Sequence, residues 1–268
     1  MRNKIWLRAN AKLNLALSIT GKDGNMHTLD SIVVPIKLHD TVVIRKRRDF
    51  NVTVAYQDGR RYENDTARIM AELIRDTYKT RGVDILIKKR IPQGAGMGGS
   101  SADAAGVARG MEKLFKYGKT DVGLLKNVGS DVPCMYLNSP CRIGGIGEKA
   151  EILAEKRYFF VIKLAKDAVN SATCYRLYDE IGGEDGDVGK AKENYERGEI
   201  FRPFNALKRA AERLEGQIGD NLRLLEDAGF VAGMTGSGSA VFGMENERRN
   251  FLRKLKLLRG QDVLITRT

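Results

Sequence analysis

One segment constrains this chain more than any other. Ile91-Pro92-Gln93-Gly94-Ala95-Gly96-Met97-Gly98-Gly99-Ser100-Ser101-Ala102-Asp103-Ala104-Ala105 is a glycine-packed turn that runs straight into small, helix-tolerant residues. The alternating Val83, Ile85 and Ile87 before it read as a strand, so the pattern predicts a strand, a tight turn and a helix start. Gly94, Gly96, Gly98 and Gly99 let the backbone take positive φ or lie against a ligand. Ser100 or Ser101 can cap the helix, and the free N–H groups of its first turn face any bound anion. A phosphate fits that description. The spacing is neither the G-x-x-x-x-G-K-[ST] of a P-loop nor the G-x-G-x-x-G of a dinucleotide site, and a plain strand-to-helix connection is the alternative.

The 268 residues suffice for one large domain or two modest ones, with about 70% of the extended surface buried on folding. Cys134, Cys141 and Cys174 have no C-x-x-C spacing, and their odd number suits a reducing compartment; they read as structural thiols. Residues 1–10 are basic without a leader-like apolar stretch, and no run of 18 apolar residues follows, so a cytoplasmic protein with no membrane partner is expected. Lys plus Arg (46) exceeds Asp plus Glu (34), giving +12 and a field that favours anionic ligands. The basic runs 45–48 and 88–90 lie at strand ends without interleaved aromatics, so no dedicated nucleic-acid partner is expected. Monomer and homodimer both remain compatible with the sequence.

Hydrophobic periodicity gives a coarse element order. Residues 5–20, 31–45 and 52–56 read as strands, the last entering a hairpin turn at Asp58-Gly59. Residues 66–80 carry Ile69, Met70, Leu73 and Ile74 on one helical face, and 102–116 and 122–128 are further helices. Residues 132–137 read as a strand, 144–147 as a glycine turn and 148–156 as a charged helix. A fresh apolar strand over 158–164 places a domain boundary near 150. The interval 181–199 is the most loop-like; it suits a mobile cover or a surface insertion. Helices over 204–214, 222–227 and 248–258 and strands over 230–232, 240–242 and 263–266 complete the pattern.

Four segments in this order, Ala11-Lys12-Leu13-Asn14, residues 91–105, Gly129-Ser130-Asp131-Val132-Pro133 and residues 233–240, resemble the motifs of the GHMP small-molecule kinase superfamily. The resemblance covers nearly the whole chain. It implies an α/β (α+β) fold of two domains: residues 1–153 for ATP binding and catalysis, and 154–268 completing the substrate cleft. Within the superfamily, Ala11 to Leu15, Thr20-Gly21, His27-Thr28-Leu29, residues 89–105 and 129–133 most resemble the kinases that phosphorylate a cytidine-diphosphate-linked methylerythritol in non-mevalonate isoprenoid biosynthesis. The alternatives are a related kinase with another small metabolite as acceptor, or a nucleotide-responsive binding protein.

Phosphoryl transfer to an alcohol needs proton acceptance or electrostatic activation, in-line alignment and neutralised phosphate charge. The resemblance implies Asp131 as the catalytic carboxylate and Lys12 as its charged partner, with ATP and Mg²⁺ as cofactors. It places Pro92, Gly94, Ala95, Gly96, Met97, Gly98, Gly99, Ser100, Ser101 and Ala102 around the nucleotide phosphates, with Asn64 and Lys89 as further nucleotide-side residues. Lys89 read alone is equally a solvated strand-edge charge. For the small-molecule alcohol it implies Asn14, Met26, His27, Asp131, Thr173, Tyr175, Thr235 and Gly236, with Gly238 in the closing segment. His27 is expected to read the cytosine edge, while Tyr175 is either a stacking partner or core packing.

Four positions depart from the closer pattern. Met26 replaces an aromatic residue and cannot supply an aromatic hydrogen bond, although it can pack on a base. Ser100 stands where a glycine is usual and Ala102 where a serine is usual, which leaves the assisting hydroxyl open. His39 replaces another glycine.

Overall fold

The computed structural model describes residues 3–268, which divide into two compact units. The first comprises the chain up to Ala11, Leu38–Pro92 and Gly98–Asn138; the second comprises Lys12–Lys37, Gln93–Met97 and Ser139–Thr268. The units do not follow a single cut in the sequence. Two long strands, β1 (Lys4–Asp23) and β2 (Met26–Lys46), contribute one part to each unit.

In the first unit β2 pairs antiparallel with β4 (Val83–Lys88), which pairs in parallel with β3 (Val52–Tyr56). Parallel neighbours require a crossover, and helix α1 (Thr66–Tyr78) supplies it. The hairpin expected at Asp58-Gly59 is therefore corrected. The local turn forms, with Gly59 N–H donating to Tyr56 O, but the chain continues into α1. Asp65 starts that helix by accepting from the Ala67 and Arg68 N–H groups, and Ala67, Met70, Ala71 and Ile74 bury one face.

Helix α2 (Gly99–Phe115) follows the glycine-rich turn. Its small residues permit close packing on the strands: a Cβ on Gly110 would lie 2.4 Å from Ile44 Cδ1 and 2.7 Å from Leu7 Cδ1. Helix α3 (Val122–Val128) is capped by Asp121. Residues 132–137, expected as a strand, form helix α4 (Val132–Leu137). Pro133 sits in its first turn, where its missing N–H costs nothing, and so short an apolar run carries no periodicity to separate helix from strand.

In the second unit β5 (Cys141–Gly145) pairs antiparallel with β2 and with β6 (Lys149–Ile152). The charged segment expected as a helix over 148–156 is thus an edge strand. A four-stranded antiparallel sheet has the order β11-β7-β10-β9, built from β7 (Phe159–Lys163), β9 (Val231–Met234), β10 (Val241–Glu245) and β11 (Leu264–Arg267). Helix α5 (Ser171–Ile181) was not anticipated, and the loop expected over 181–199 contains helix α6 (Val188–Arg197). Only Val188, Ala191 and Tyr195 of α6 are buried, so its polar composition hid a narrow apolar stripe between an Asp187 cap and Gly198. Residues 204–214 begin as β8 (Phe204–Asn205), parallel to β1, before α7 (Lys208–Leu214).

Helices α8 (Gln217–Asp227) and α9 (Arg248–Leu255) complete the unit, the latter running into a 3₁₀ turn over Lys256–Leu258. All three cysteines are buried and free of disulfides. Among the described residues no helix is long and apolar enough to cross a membrane. Phe160 and Phe242 on adjacent strands are fully buried and meet edge to face at 5.8 Å. Phe242→Ala should lower unfolding free energy by about 3–5 kcal/mol in urea titration; a loss below about 1 kcal/mol would show that this contact is not a core anchor.

Candidate active site

The second unit gathers four of the predicted residues, Lys12, Gly96, Thr235 and Gly236, around Asn14, which is 2% exposed. Its Oδ1 accepts from Lys12 Nζ at 2.5 Å and from Gly236 N–H at 3.0 Å, while its Nδ2 donates to Ser31 Oγ at 2.9 Å. Its backbone N–H donates to Thr235 Oγ1 at 3.1 Å. The Thr235 hydroxyl has one proton and two acceptors at 3.3 Å, Asn14 Oδ1 and Gly96 O. Because Asn14 Oδ1 already accepts twice, Gly96 O is the better acceptor. Lys12, though a lysine, is only 5% exposed. Burial of an ammonium is tolerable where acceptors surround it, and Asn14 supplies one.

Backbone contacts fix the glycine turn within this unit. Lys12 N–H donates to Met97 O at 3.1 Å and Ala240 N–H to Ala95 O at 3.3 Å. Gly96 has φ +70°, and a Cβ there would fall 2.2 Å from Thr235 O; Gly94, at φ +66°, would place one 2.4 Å from Ala168 Cβ. Neither position admits a side chain. Asn205 holds the opposing segment by donating to Met234 O at 3.1 Å and Gly236 O at 2.8 Å. Asn205 and Ser31 carried no sequence signal, because their partners are distant in the chain and neither lies in a motif.

In the first unit Gly98, at φ +70°, occupies the N-cap position of α2, and no side chain caps the helix. Ser100 and Ser101 therefore lie inside its first turn, a correction to the expectation that one of them caps it. The left-handed glycine starts the helix three residues before Ala102. The first-turn N–H groups, Gly99 to Ser101, have no intrahelical partner and no side-chain cap, which suits a polyanion such as a nucleotide phosphate chain. Ser100 O accepts from Thr66 Oγ1 at 2.9 Å, tying this turn to α1. Asn64 is exposed in the turn preceding α1, and Pro92 is half-buried.

Lys89 is not a solvated strand-edge charge. Its Nζ lies 2.5 Å from Asp40 Oδ2 and 2.6 Å from Asp103 Oδ2, with both carboxylates buried. Asp40 Oδ1 in turn accepts from the Arg90 and Ile91 N–H groups, anchoring the entry to the glycine turn. Burial pulls the Lys89 ammonium down, but the two carboxylates outweigh it and leave it raised. Burial pushes the Asp103 carboxyl up to about 7 against the pull of Lys89, with Asp40 adding repulsion. Two acids share one base here. Asp40 escaped the sequence reading because its partners Lys89, Arg90 and Ile91 lie beyond the end of β4, far along the chain.

Asp131 is half-buried at the N-cap position of α4; its backbone oxygen accepts from Met135 N–H and Cys134 Sγ. His27 lies in the second unit, stacked on Tyr175 with centroids 4.7 Å apart and planes at 27°. Thr173 lies in the first turn of α5, its N–H donating to the capping Asn170 Oδ1, and Met26 is 52% exposed; neither joins the Asn14 network. Among the described residues no group of three or more His, Cys, Asp or Glu side chains is placed to hold a metal ion.

Residues 65–138 match the family model for the GHMP kinases N terminal domain. The 4-diphosphocytidyl-2-C-methyl-D-erythritol kinase of Symbiobacterium thermophilum is 31% identical, over 98% of this chain and 99% of its own. The chain belongs to the GHMP kinase family. The enzyme of the same name from Acetivibrio thermocellus is 35% identical to this GHMP kinase over 91% of the chain and 92% of the relative. A crystal structure of 4-(cytidine 5'-diphospho)-2C-methyl-D-erythritol kinase superposes with a TM-score of 0.83 at 29% identity, covering 98% of each chain. Homoserine kinase from Cytophaga hutchinsonii shares the fold, with a TM-score of 0.68 at 14% identity, over 100% of this chain and 94% of its own. Membership carries the activity class of this GHMP kinase: ATP-dependent phosphorylation of a small metabolite.

The Asp103 cluster gives this GHMP kinase a testable pH signature. A carboxyl raised from 3.8 to about 7 on folding contributes stability below about pH 4 that is lost as pH rises through about 7. Between those limits the Tm of the parent should fall relative to that of Asp103→Asn. Parallel Tm profiles from pH 4 to 8 would contradict the raised carboxyl.

Proposed function

We propose that this GHMP kinase transfers the γ-phosphoryl group of ATP to an alcohol of 4-diphosphocytidyl-2-C-methyl-D-erythritol, a cytoplasmic step of non-mevalonate isoprenoid biosynthesis. The observation that carries the transfer is the buried Lys12 ammonium held 2.5 Å from Asn14 Oδ1, in a network that also fixes Gly96 and Gly236. The choice of acceptor is supported by relatives of that name aligned along almost the whole chain.

In this reading the first-turn N–H groups of α2 and the glycines from Gly94 to Gly99 receive the nucleotide phosphates, with Asn64 on the nucleoside side. Mg²⁺ bound with those phosphates supplies charge neutralisation. The acceptor oxygen attacks the γ-phosphorus, its proton passes to the Asp131 carboxylate, and the bond to the ADP oxygen breaks. Lys12 neutralises charge at the acceptor and the transferred group, and Asn14 sets the direction of its ammonium. Lys89 acts indirectly, fixing the entry to the glycine turn through Asp40. Residues 1–153 carry ATP and chemistry, and 154–268 contribute acceptor recognition through Thr173, Tyr175, Thr235 and Gly236, with Met26 and His27 on the cytidine.

Purified protein with ATP and Mg²⁺ should form ADP and a phosphorylated acceptor when given the cytidine-linked methylerythritol, identified directly by mass and ³¹P spectra. Turnover of another alcohol but not this one would overturn the specificity. Asp131→Asn should reduce kcat by about 10²–10⁴-fold with ATP affinity retained, and Lys12→Met should impair the same step. Near-parental kcat in Asp131→Asn would remove the carboxylate from its role.

A further inference from the structure

We propose that Asp179 is a positioning residue for base recognition: it holds the His27 ring by its Nε2–H and leaves Nδ1 as an acceptor that selects the amino group of cytosine over the carbonyl of uracil. The inference rests on the cytidine-linked acceptor proposed above. It adds a residue outside every motif that marked the family.

Three side chains fix the ring, and a fourth holds one of them. Asp179 Oδ1 lies 2.7 Å from His27 Nε2, and Asp179 Oδ2 lies 2.7 Å from Lys22 Nζ. Tyr175 stacks on the imidazole, while Tyr178 meets it edge-on at 6.1 Å and 82°. Tyr175, Tyr178 and Asp179 are spaced i, i+3 and i+4 on α5, so one helical face clamps a residue carried on β2. The His27 side chain is left only 11% exposed.

The chemistry follows from the carboxylate. Hydrogen bonds from Lys22 and His27 hold the Asp179 carboxyl below the usual carboxylate range, so it is ionised and can only accept. The ring nitrogen facing it must then carry the proton. A neutral imidazole has one N–H, which leaves a lone pair on Nδ1. Nδ1 has no hydrogen-bond partner among the described residues. The exocyclic N4 of cytosine is a donor, whereas the corresponding O4 of a uracil-type base is an acceptor. A uridine-linked acceptor would set two acceptors against each other and leave both unsatisfied.

Two measurements test this on the full-length protein. The ¹⁵N ring shifts of His27, assigned against a His39→Gln variant, should report the Nε2–H tautomer in the parent and a mixture in Asp179→Ala. Steady-state kinetics with cytidine-linked and uridine-linked acceptors should show a parental cytidine preference that falls about tenfold in Asp179→Ala, the size of one lost hydrogen bond. That change should appear in acceptor KM, with ATP KM and kcat kept within about twofold; Asp179→Glu should restore part of the preference. A parent that prefers cytidine beside an Asp179→Ala variant with undiminished preference overturns this proposal alone, as does an Nδ1–H tautomer in the parent. A parent with no cytidine preference overturns the acceptor assignment and this proposal with it.

Discussion

The amide of Asn14 is the point on which the candidate site depends. One side chain, 2% exposed, satisfies a lysine ammonium, a glycine N–H and a serine hydroxyl, while its backbone reaches a threonine. Those partners come from three stretches of chain, at Lys12, Ser31 and Thr235-Gly236. Buried polar networks are stabilising only when every member is satisfied, so the network behaves as a unit. Removing the amide would strand the Gly236 N–H and deprive Lys12 of its 2.5 Å acceptor, each a desolvation cost of about 1–3 kcal/mol.

The glycine turn is shaped by steric exclusion on one side and hydrogen bonding on the other. Thr235 O and Ala168 Cβ leave no room for a Cβ at Gly96 or Gly94, while Asp40 holds the N–H groups of Arg90 and Ile91 just before the turn. Gly98 then starts α2 without a side-chain cap. A serine or aspartate cap would occupy the donors that a phosphate requires. The weak capping of this helix is therefore consistent with the use proposed for it.

The glycine turn was legible in the sequence because backbone geometry dictates residue type there, whereas Lys12, Asn14 and the late glycine segment were marked only by their resemblance to the family's motifs. Helix α1 was legible through its 3.6-residue period, and β1, β2 and β4 through runs of apolar residues. What failed has physical reasons. Residues 132–137 are too short for period to separate helix from strand, and α6 buries only three side chains. The parallel pairing of β3 with β4 depends on a partner that no local turn signal reveals. Lys89 could be read as a nucleotide-side residue or as a solvated charge, and its ion pairs escaped notice because both acids come from elsewhere in the chain, Asp40 on β2 and Asp103 on α2. Ser31, Asn205 and Asp179 were invisible for the same reason: each acquires meaning only from its neighbours in space.

In the proposed function, the asparagine-aligned lysine serves phosphoryl transfer rather than stability alone. Its most direct test is kcat for Asn14→Ala at saturating ATP and acceptor, measured beside ATP affinity by calorimetry. The expected result is a fall of about 100-fold or more in kcat with ATP affinity changed by less than about threefold. A folded variant with kcat within about twofold of the parent would contradict it.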